Sequence, residues 1–331
     1  MPDQTNIVSV VAEPAAPART PARRSAMSYA IGWSNILVLI LLLVIATILS
    51  PHFLSVRNLL NVLRGSSMVG IVSIGMTFVI LNRGIDLSVG SIVGVSAALM
   101  AGFASDTPVA WILLPLVAGV VLGAVNGWMI TGLRLQPFIA TLGMMIFARG
   151  LVYIYTNGST IVPEDPTDAF SFLGSGYIGM IPTPVILFAL VAIGAALVLG
   201  RTIFGREVYA VGANEEAARL AGIRVQRNRV LVYVISGLLA AIAGIVLTSR
   251  LSVADPNGGN LFELDAIAAV LIGGTTFDGG RGGVGGTIIG VLILAFLSNL
   301  LNLMGVSPYS QMLLKGVIIV AAVVVSELRN R

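Results

Sequence analysis

The sequence predicts an all-α polytopic membrane protein with about ten transmembrane helices, some of them broken or re-entrant. Of the 331 residues, 56% are hydrophobic and only 10% are charged, and the mean hydropathy is +0.97. A soluble domain carries about 25% charged residues, so fifteen acidic and nineteen basic side chains cannot cover a water-soluble globule of this length. Charge-free apolar runs recur instead, and most approach the roughly 20 residues that a membrane-spanning helix needs.

These runs give ten candidate spans. In chain order they are Ser25–Val56 (most apolar at Ile36–Leu49), Gly65–Asn82, Leu87–Phe103, Val109–Ile130, Pro137–Tyr155, Pro184–Gly200, Val230–Thr248, Asp265–Phe277, Gly286–Asn302 and Gln311–Ser326. The first run starts too late for a cleaved signal peptide and is expected to stay as an anchor. We predict a disordered cytoplasmic tail over 1–33, which is rich in proline, alanine and arginine, and a transmembrane domain over 34–328.

The positions of the arginines predict the orientation. Positive residues accumulate on the cytoplasmic side of membrane spans, which places the arginine-rich loop 201–229 and both chain ends in the cytoplasm. The loop from Asn157 to Pro182 then lies outside, and it has acidic residues but no basic ones. Arg57 and Arg64 fit less well, because this orientation puts them outside too. The arginine groups are not interleaved with aromatic residues, so no nucleic acid partner is expected.

Several chemistries are excluded or disfavoured by composition. The chain has no cysteine and a single histidine, His52, so we expect no metal site and no His-based catalytic triad. The segment Gly280–Gly285 matches a dinucleotide-binding glycine pattern, but no strand–turn–helix unit surrounds it. The only lysine, Lys315, lies in an apolar run, which excludes a phosphate-binding lysine loop. No cofactor is therefore predicted.

Two stretches interrupt the apolar pattern with glycine and charge. They are 82–90 (Asn-Arg-Gly-Ile-Asp-Leu-Ser-Val-Gly) and 273–286, which holds many glycines around an Asp and an Arg. The run before the second stretch, Ala266–Phe277, is too short to cross a membrane alone. Irregular backbone at membrane depth is tolerated only where protein or a water-filled cavity satisfies it, and broken helices mark the binding regions of many transporters.

Each interrupting stretch contains an acidic residue, Asp86 or Asp278. A carboxylate at the membrane centre costs about 2.5–3.5 kcal/mol, so each must face a polar cavity or a partner. One interpretation places them near the route of a polar substrate. The alternatives are a solvated turn or an internal ion pair with Arg83 or Arg281.

Repeated small residues predict close helix packing. Gly119, Gly123 and Gly127 recur every fourth position, a spacing that lets helix backbones approach closely in lipid. The segment 89–95 also resembles 284–291 with one residue inserted, which indicates a degenerate parallel repeat. The alternative is that glycine-rich membrane turns look alike by composition.

The loop 201–229 is predicted to contain a short helix. Asn214 can cap a helix whose first turn holds Glu215 and Glu216, and Gly222 would end it after about eight residues. A helix of this length is unstable alone in water. It must pack on its own spans or be held by a partner.

Three motifs resemble the permease subunits of bacterial ABC importers for sugars, with the ribose- and xylose-type branch closest. They are Gly84–Ser91, the loop Gly212–Ile223 and the paired-glycine run after Gly273. The resemblance extends from about Ile36 to Leu328. It implies an ABC importer permease fold in the bacterial inner membrane, a second permease copy (identical or different), a periplasmic sugar-binding protein and a separate cytoplasmic ATPase.

The resemblance also assigns roles to residues. The ATPase-coupling residues it implies are Gly212, Asn214, Glu215, Ala217, Ala218, Arg219, Gly222 and Ile223. Polar residues that we expect along the translocation pathway are Asn82, Asp86, Ser88, Gln136, Thr141 and Asp278.

The sequence therefore predicts a transport subunit that translocates a monosaccharide and catalyses no bond chemistry. A branched-chain amino acid or nucleoside permease of the same superfamily stays open, since charge-poor paths suit several solutes. So does an ion-coupled secondary transporter, for which only Asp86, Asp265 and Asp278 could bind the ion. A membrane-embedded enzyme is disfavoured by the lack of cysteine and the single histidine.

Overall fold

The computed structural model describes residues 22–104, 107–164 and 166–330. Its helices are α1 (Ala22–Leu49), α2 (Val56–Leu81), α3 (Val89–Gly102), α4 (Pro108–Thr131), α5 (Pro137–Thr156), α6 (Asp168–Ser175), α7 (Thr183–Arg201), α8 (Ile203–Ala213), α9 (Glu215–Leu220), α10 (Val225–Leu251), α11 (Phe262–Ile272), α12 (Val284–Leu303) and α13 (Pro308–Asn330). One small antiparallel hairpin joins β1 (Tyr177–Ile178) to β2 (Ile181–Pro182). Residues 1–21 of the predicted tail lie outside the described residues, and α1 begins within the rest of it.

The helix lengths agree with a polytopic membrane protein. Within the part of the chain that the structure describes, six helices are long and apolar enough to cross a bilayer, namely Val56–Leu81, Val109–Thr131, Pro137–Thr156, Thr183–Arg201, Val225–Leu251 and Val284–Leu303. Two shorter apolar stretches are Asn35–Leu49 and Val89–Gly102. Helix α11 has 11 residues, so at 1.5 Å per residue it covers about half of the hydrocarbon core. The all-α polytopic class is confirmed, and the count of about ten crossings stays a prediction.

Several helices start where the sequence supplies a suitable first turn. Pro108, Pro137 and Pro184 lie in the first turns of α4, α5 and α7, where the missing N–H would have no partner in the helix. Ser55 caps α2 by accepting a hydrogen bond from the Asn58 N–H at 3.3 Å. Helices α3 and α12 begin at Val89 and Val284, the first residues of the two similar segments.

Helix α10 lies at the centre of the bundle and packs against α2, α3 and α4. Its contact with α4 uses the predicted glycine stripe. A Cβ on Gly119 would lie 2.5 Å from the carbonyl oxygen of Gly237, and one on Gly127 would lie 2.7 Å from the Cα of Val230. Real Cβ atoms do not approach backbone so closely. The packing role predicted for these glycines is confirmed.

Contacts between loops define two ends of the bundle. At one end, which we call the joint end, the stretch after α2, the end of α8 and the stretch after α11 meet. At the other end, which we call the hairpin end, the segment 157–182 packs on the end of α10, and the Gly174 N–H donates to Ser249 Oγ at 2.6 Å. Arg64 lies 4.5 Å over the Tyr177 ring at this end. The topology predicted from the arginines likewise places the loops of the joint end on one side of the membrane and the loops of the hairpin end on the other.

Candidate functional site

The short helix α9 is capped at both ends by its own sequence. The Asn214 side chain accepts a hydrogen bond from the Ala217 N–H at 3.0 Å, as predicted for a cap. At the other end Gly222 adopts a φ of +84°. The Ile223 N–H reaches back to the Ala218 carbonyl at 3.0 Å, which is the hydrogen bond of a Schellman motif. Helix α9 therefore ends two residues before Gly222 and is somewhat shorter than predicted.

Ion pairs attach α9 to the start of α10. Glu215 accepts a hydrogen bond from Arg229 at 2.9 Å, and Arg219 lies 3.4 Å from the same carboxylate. The Arg229 hydrogen bond is the main reason that the pKa of Glu215 lies below its ordinary value. Arg219 also lies 3.5 Å from Glu216. Exposed pairs of this kind contribute only about 0.2–1 kcal/mol each, so they orient the helix more than they stabilise the fold.

The residues predicted to couple to an ATPase fall into two sets. The exposed set contains Asn214, Ala217, Arg219 and Gly222. Gly212 and Ala218 are buried, and Ala218 packs with Val211 and Val225 under the helix, with Ile223 at the edge of this cluster. Glu215 lies between the two sets. The sequence-based assignment omitted Leu220, whose side chain is 83% exposed on α9. Leu220 therefore lies on the exposed face of α9 together with Ala217 and Arg219.

Gly212 and Ala213 connect this helix to both interrupting stretches. We call the contact the joint, formed by Leu81, Arg83, Gly212, Ala213, Asp278 and Gly280. The Gly280 N–H donates to the Leu81 carbonyl at 2.9 Å. The backbone at Gly212 lies so close to Leu81 and Gly280 that a Cβ would overlap the Leu81 carbonyl oxygen and approach the Gly280 nitrogen to 2.7 Å.

Arg83 bridges the parts of the joint. Its Nε donates to the Asp278 carbonyl at 2.6 Å, and one of its terminal nitrogens donates to the Ala213 carbonyl at 3.0 Å. Arg83 adopts a φ of +60°, an unusual backbone for a residue other than glycine. The guanidinium therefore links the stretch after α2 to the other two segments. The ion pair of Arg83 with Asp86, one of the alternatives from the sequence, is wrong.

Asp86 lies in a buried polar network. Its side chain is fully buried, and its Oδ1 accepts hydrogen bonds from the Ser88 N–H at 3.0 Å and the Ser88 hydroxyl at 2.6 Å. The Oδ2 accepts from the Ser236 hydroxyl on α10 at 2.8 Å. The Asn126 amide on α4 donates to the Ser88 Oγ at 2.8 Å. One carboxylate thus joins the turn before α3 to α4 and α10, and the solvated-turn alternative is wrong for Asp86.

The other predicted pathway residues divide by location. Asn82 is buried and donates to Asn228 on α10 at 2.8 Å, and the buried Thr141 donates to the Ile85 carbonyl at 3.3 Å. Asn82, Asp86, Ser88 and Thr141 are thus brought around one turn. Gln136 is exposed at the start of α5, outside this group. Asp278 is exposed, and its carbonyl is bound by Arg83.

Sequence reasoning missed the partners of Asp86 and Asn82 on distant helices. Asn126, Asn228 and Ser236 are buried, and the only signal in the sequence is a polar residue in or beside an apolar run. Arg149 on α5 was missed as well, although it donates to the Pro256 carbonyl at 2.8 Å and the Gly258 carbonyl at 3.1 Å. Among the described residues, no group of three or more His, Cys, Asp or Glu side chains is arranged to hold a metal ion.

Comparison with known proteins finds close relatives over most of the chain. Residues 58–323 match the family described as the branched-chain amino acid transport system permease component. The chain is 47% identical to the ribose import permease protein of Bacillus subtilis over 294 residues, which is 88% of this chain and 91% of the relative. It is 45% identical to the ribose import permease protein of Escherichia coli K12, covering 88% of this chain and 92% of the relative.

A third relative carries a different sugar in its name. The xylose transport system permease protein of Escherichia coli K12 is 36% identical over an alignment that covers 82% of this chain and 85% of the relative. No solved structure gives a significant match to the chain.

Proposed function

Because this chain belongs to the family of branched-chain amino acid transport system permease components, we propose that it is the membrane-spanning subunit of an ATP-driven importer for a monosaccharide of the ribose or xylose type. The relatives at 36–47% identity are named as ribose and xylose permeases, which favours a sugar over the amino acid in the family description. It is a transport subunit rather than an enzyme. ATP hydrolysis belongs to a separate chain.

The observation that carries this proposal is the attachment of α9 to the joint. An exposed, capped helix with an apolar tip at Leu220 is bound through Gly212 and Arg83 to both stretches that begin membrane helices. Force applied to α9 by a partner reaches the starts of α3 and α12 through backbone contacts and one guanidinium. Such a connection suits a motor that lies in another polypeptide.

Transport in this proposal consists of movement alone. Closure of the ATPase displaces α9, and the joint transmits the displacement to the turns at 82–88 and 273–283. The Asp86 network joins the first turn to α4 and α10, so these helices tilt together. A neutral sugar needs exchangeable hydrogen bonds rather than a charged clamp. Ser88, Asn82 and Thr141 are proposed to meet the substrate only when this packing opens, and Gln136 and Asp278 to lie at the inner exit.

The orientation and partners follow from the same proposal. The joint end faces the cytoplasm and the hairpin end faces the periplasm, with both chain ends inside an inner membrane, because the arginine-rich loop lies at the joint end. About ten crossings result if α1, α3, α11 and α13 are counted with the six long helices. The partners are a second permease copy, a cytoplasmic ATPase and a periplasmic sugar-binding protein.

The competing functions make different predictions in one assay. A permease for a branched-chain amino acid or a nucleoside would need ATP and a receptor but would not import pentoses. An ion-coupled transporter would need neither partner subunit. Measuring ATP-dependent uptake of ribose, xylose, leucine and adenosine, with and without the partner subunits, distinguishes these alternatives.

The coupling role of α9 can be tested by substitution. Replacing Glu215 and Arg219 together with alanine should abolish uptake and co-purification of the ATPase, since the ion pairs lost are worth too little to unfold the chain. Leu220→Glu changes an exposed side chain and should give the same loss. The matched control is Arg57→Ala with Glu164→Ala, two exposed charges away from α9. If uptake and co-purification both persist, α9 is not the docking element.

A further inference from the structure

We propose that the cavity between α2, α11, α12 and α13 is a binding site for a single neutral monosaccharide on the outward side of the translocation path, an inference that rests on the proposed function. The cavity has a volume of about 310 Å³. Its polar lining comes from Asn61, Ser66, Ser298, Asn299 and Asn302, together with the ion pair of Asp265 and Lys315.

The composition of this wall is unusual for membrane helices. Helix α12 is apolar along most of its length, yet Ser298, Asn299 and Asn302 lie within its last six residues. Polar side chains are costly in hydrocarbon and usually face a protein interior or a water-filled cavity. The cavity therefore combines an apolar side, which includes Val69, Val291 and Leu294, with a polar side that suits hydroxyl groups.

The wall is held in place by hydrogen bonds between its own amides and their neighbours. Asn58 and Asn299 donate to each other, both at 2.9 Å, and the Gln311 amide donates to Asn302 Oδ1 at 2.8 Å. Each amide has two donors and two acceptor lone pairs, so these bonds orient the side chains and leave capacity for a ligand. Amides and hydroxyls that donate and accept match the hydroxyl groups of a sugar.

The charges in the cavity favour a neutral ligand. Lys315 Nζ donates to Asp265 Oδ2 at 2.9 Å, so the two charges compensate each other. An anion would compete with Asp265 for the ammonium, and a cation would compete with Lys315 for the carboxylate. A sugar can hydrogen-bond to both groups without separating them.

The size of the cavity selects a small solute. Ligand pockets in proteins measure about 300–1,000 Å³, so this one is at the lower limit. It has room for about ten waters at roughly 30 Å³ each, and a pentose has about ten non-hydrogen atoms. The volume is therefore sufficient for one monosaccharide.

The cavity lies toward the hairpin end of the bundle. Its lining residues lie near the start of α2 and the end of α12, opposite the joint. Deeper along the same pair of helices, Val69 and Val291 form its floor, and the hydroxyls of Thr77 and Thr287 are bonded at 2.7 Å. The two helices are therefore closed toward the joint, as expected for a site that receives solute from the periplasmic side.

Cysteine chemistry tests the site. The natural chain has no cysteine, so Ser298→Cys supplies its single thiol, and Ser310→Cys supplies a control at an exposed position that does not line the cavity. The full transporter is embedded in right-side-out vesicles and treated with a small, membrane-impermeant methanethiosulfonate reagent, whose size is close to that of a monosaccharide. The receptor is added after quenching, and ATP-dependent D-ribose uptake is measured.

We expect both thiols to react, with uptake reduced at least tenfold after modification of the Ser298→Cys variant and changed less than twofold for the Ser310→Cys control. Full uptake by the modified Ser298→Cys variant overturns the proposal. So does a Ser298→Cys thiol that stays unreactive while the control reacts. If the unmodified natural chain imports no pentose with its partners, the proposed function fails. The labelling of the Ser298→Cys thiol is a separate measurement, and it still shows whether the cavity is accessible from outside.

A second pair of variants tests the same site if the cysteine variant does not assemble. Ala295 lines the cavity, and Ala295→Phe should fill it and reduce uptake at least tenfold. Ala189→Phe places the same ring on an exposed position of α7 and should leave uptake within twofold. Equal uptake by the two variants contradicts the site.

Discussion

Gly212 is the position where a single methyl group should interfere most with coupling. In an ordinary helix, replacing glycine with alanine stabilises by about 0.5–1 kcal/mol. At Gly212 the added Cβ would overlap the carbonyl oxygen of Leu81 and lie 2.7 Å from the nitrogen of Gly280. Both are backbone atoms, so neither can rotate away as a side chain would. The clash and the propensity gain therefore have opposite signs.

The clash should be larger than the gain. Overpacking of a well-packed site costs about 1–3 kcal/mol, and separating the backbones also stretches the Gly280–Leu81 hydrogen bond of 2.9 Å, worth about 0.5–1.5 kcal/mol. Gly212 is the penultimate residue of α8, so the stability gained from the helix propensity of alanine is at the low end of its range. Gly212→Ala should thus destabilise the joint by about 2 kcal/mol.

The assay compares thermal unfolding of the detergent-solubilised chain with coupling in the complex. We expect Gly212→Ala to lower the unfolding temperature and to raise the number of ATP molecules hydrolysed per sugar imported. Gly194→Ala is the matched control, because its Cβ meets nothing within 4 Å on α7. If the two variants show the same stability and the same coupling ratio, the joint does not transmit force through this contact.

Three further predictions concern the same region. Asp86→Asn places an amide donor against buried hydroxyls that donate to the carboxylate, and it should lower the unfolding free energy by about 1.5–3 kcal/mol. This loss should exceed that of Ser236→Ala, and equal losses of unfolding free energy would contradict the central position of the carboxylate. Arg83→Lys cannot reproduce a planar fork that reaches two carbonyls, so we expect ATPase binding to persist while pentose uptake falls several-fold; unchanged uptake would be contrary evidence. The pKa of Glu215 is lowered in the folded chain. The stability that its ion pairs give to α9 should therefore be fully present above the ordinary pKa of about 4.3 and be lost only as the pH falls through the lower pKa of the folded state. An NMR titration should show a higher pKa for Glu215 in the Arg229→Ala variant, and an unchanged pKa would exclude the pairing of Glu215 with Arg229.

Local features of this chain could be predicted from sequence because their causes lie within a few residues. The Asn214 cap and the Gly222 terminus are set by neighbours along the chain. The glycine stripe of α4 is likewise a regular spacing, although the sequence did not reveal that its partner is α10. Hydropathy identified the long spans for the same reason, since each span is a continuous segment.

Features that depend on tertiary contacts could not be predicted. Asp86 and Ser236 are 150 residues apart, and nothing near either residue indicates the other. Arg83 was considered as a partner for Asp86 because they are neighbours in sequence, yet its partners are carbonyls, which every residue has. Hydropathy alone also does not decide whether α3 and α11 cross the membrane, because these helices have only 14 and 11 residues.

Reconstitution in liposomes tests the central claim most directly. The chain, alone or with its ATPase and receptor, is supplied with D-ribose and either internal or external ATP or an ion gradient. We predict accumulation only when ATP, the ATPase and the receptor are all present on the appropriate sides. Accumulation by the chain alone, driven by a proton or sodium gradient, would contradict the claim that an external motor works through α9 and the joint.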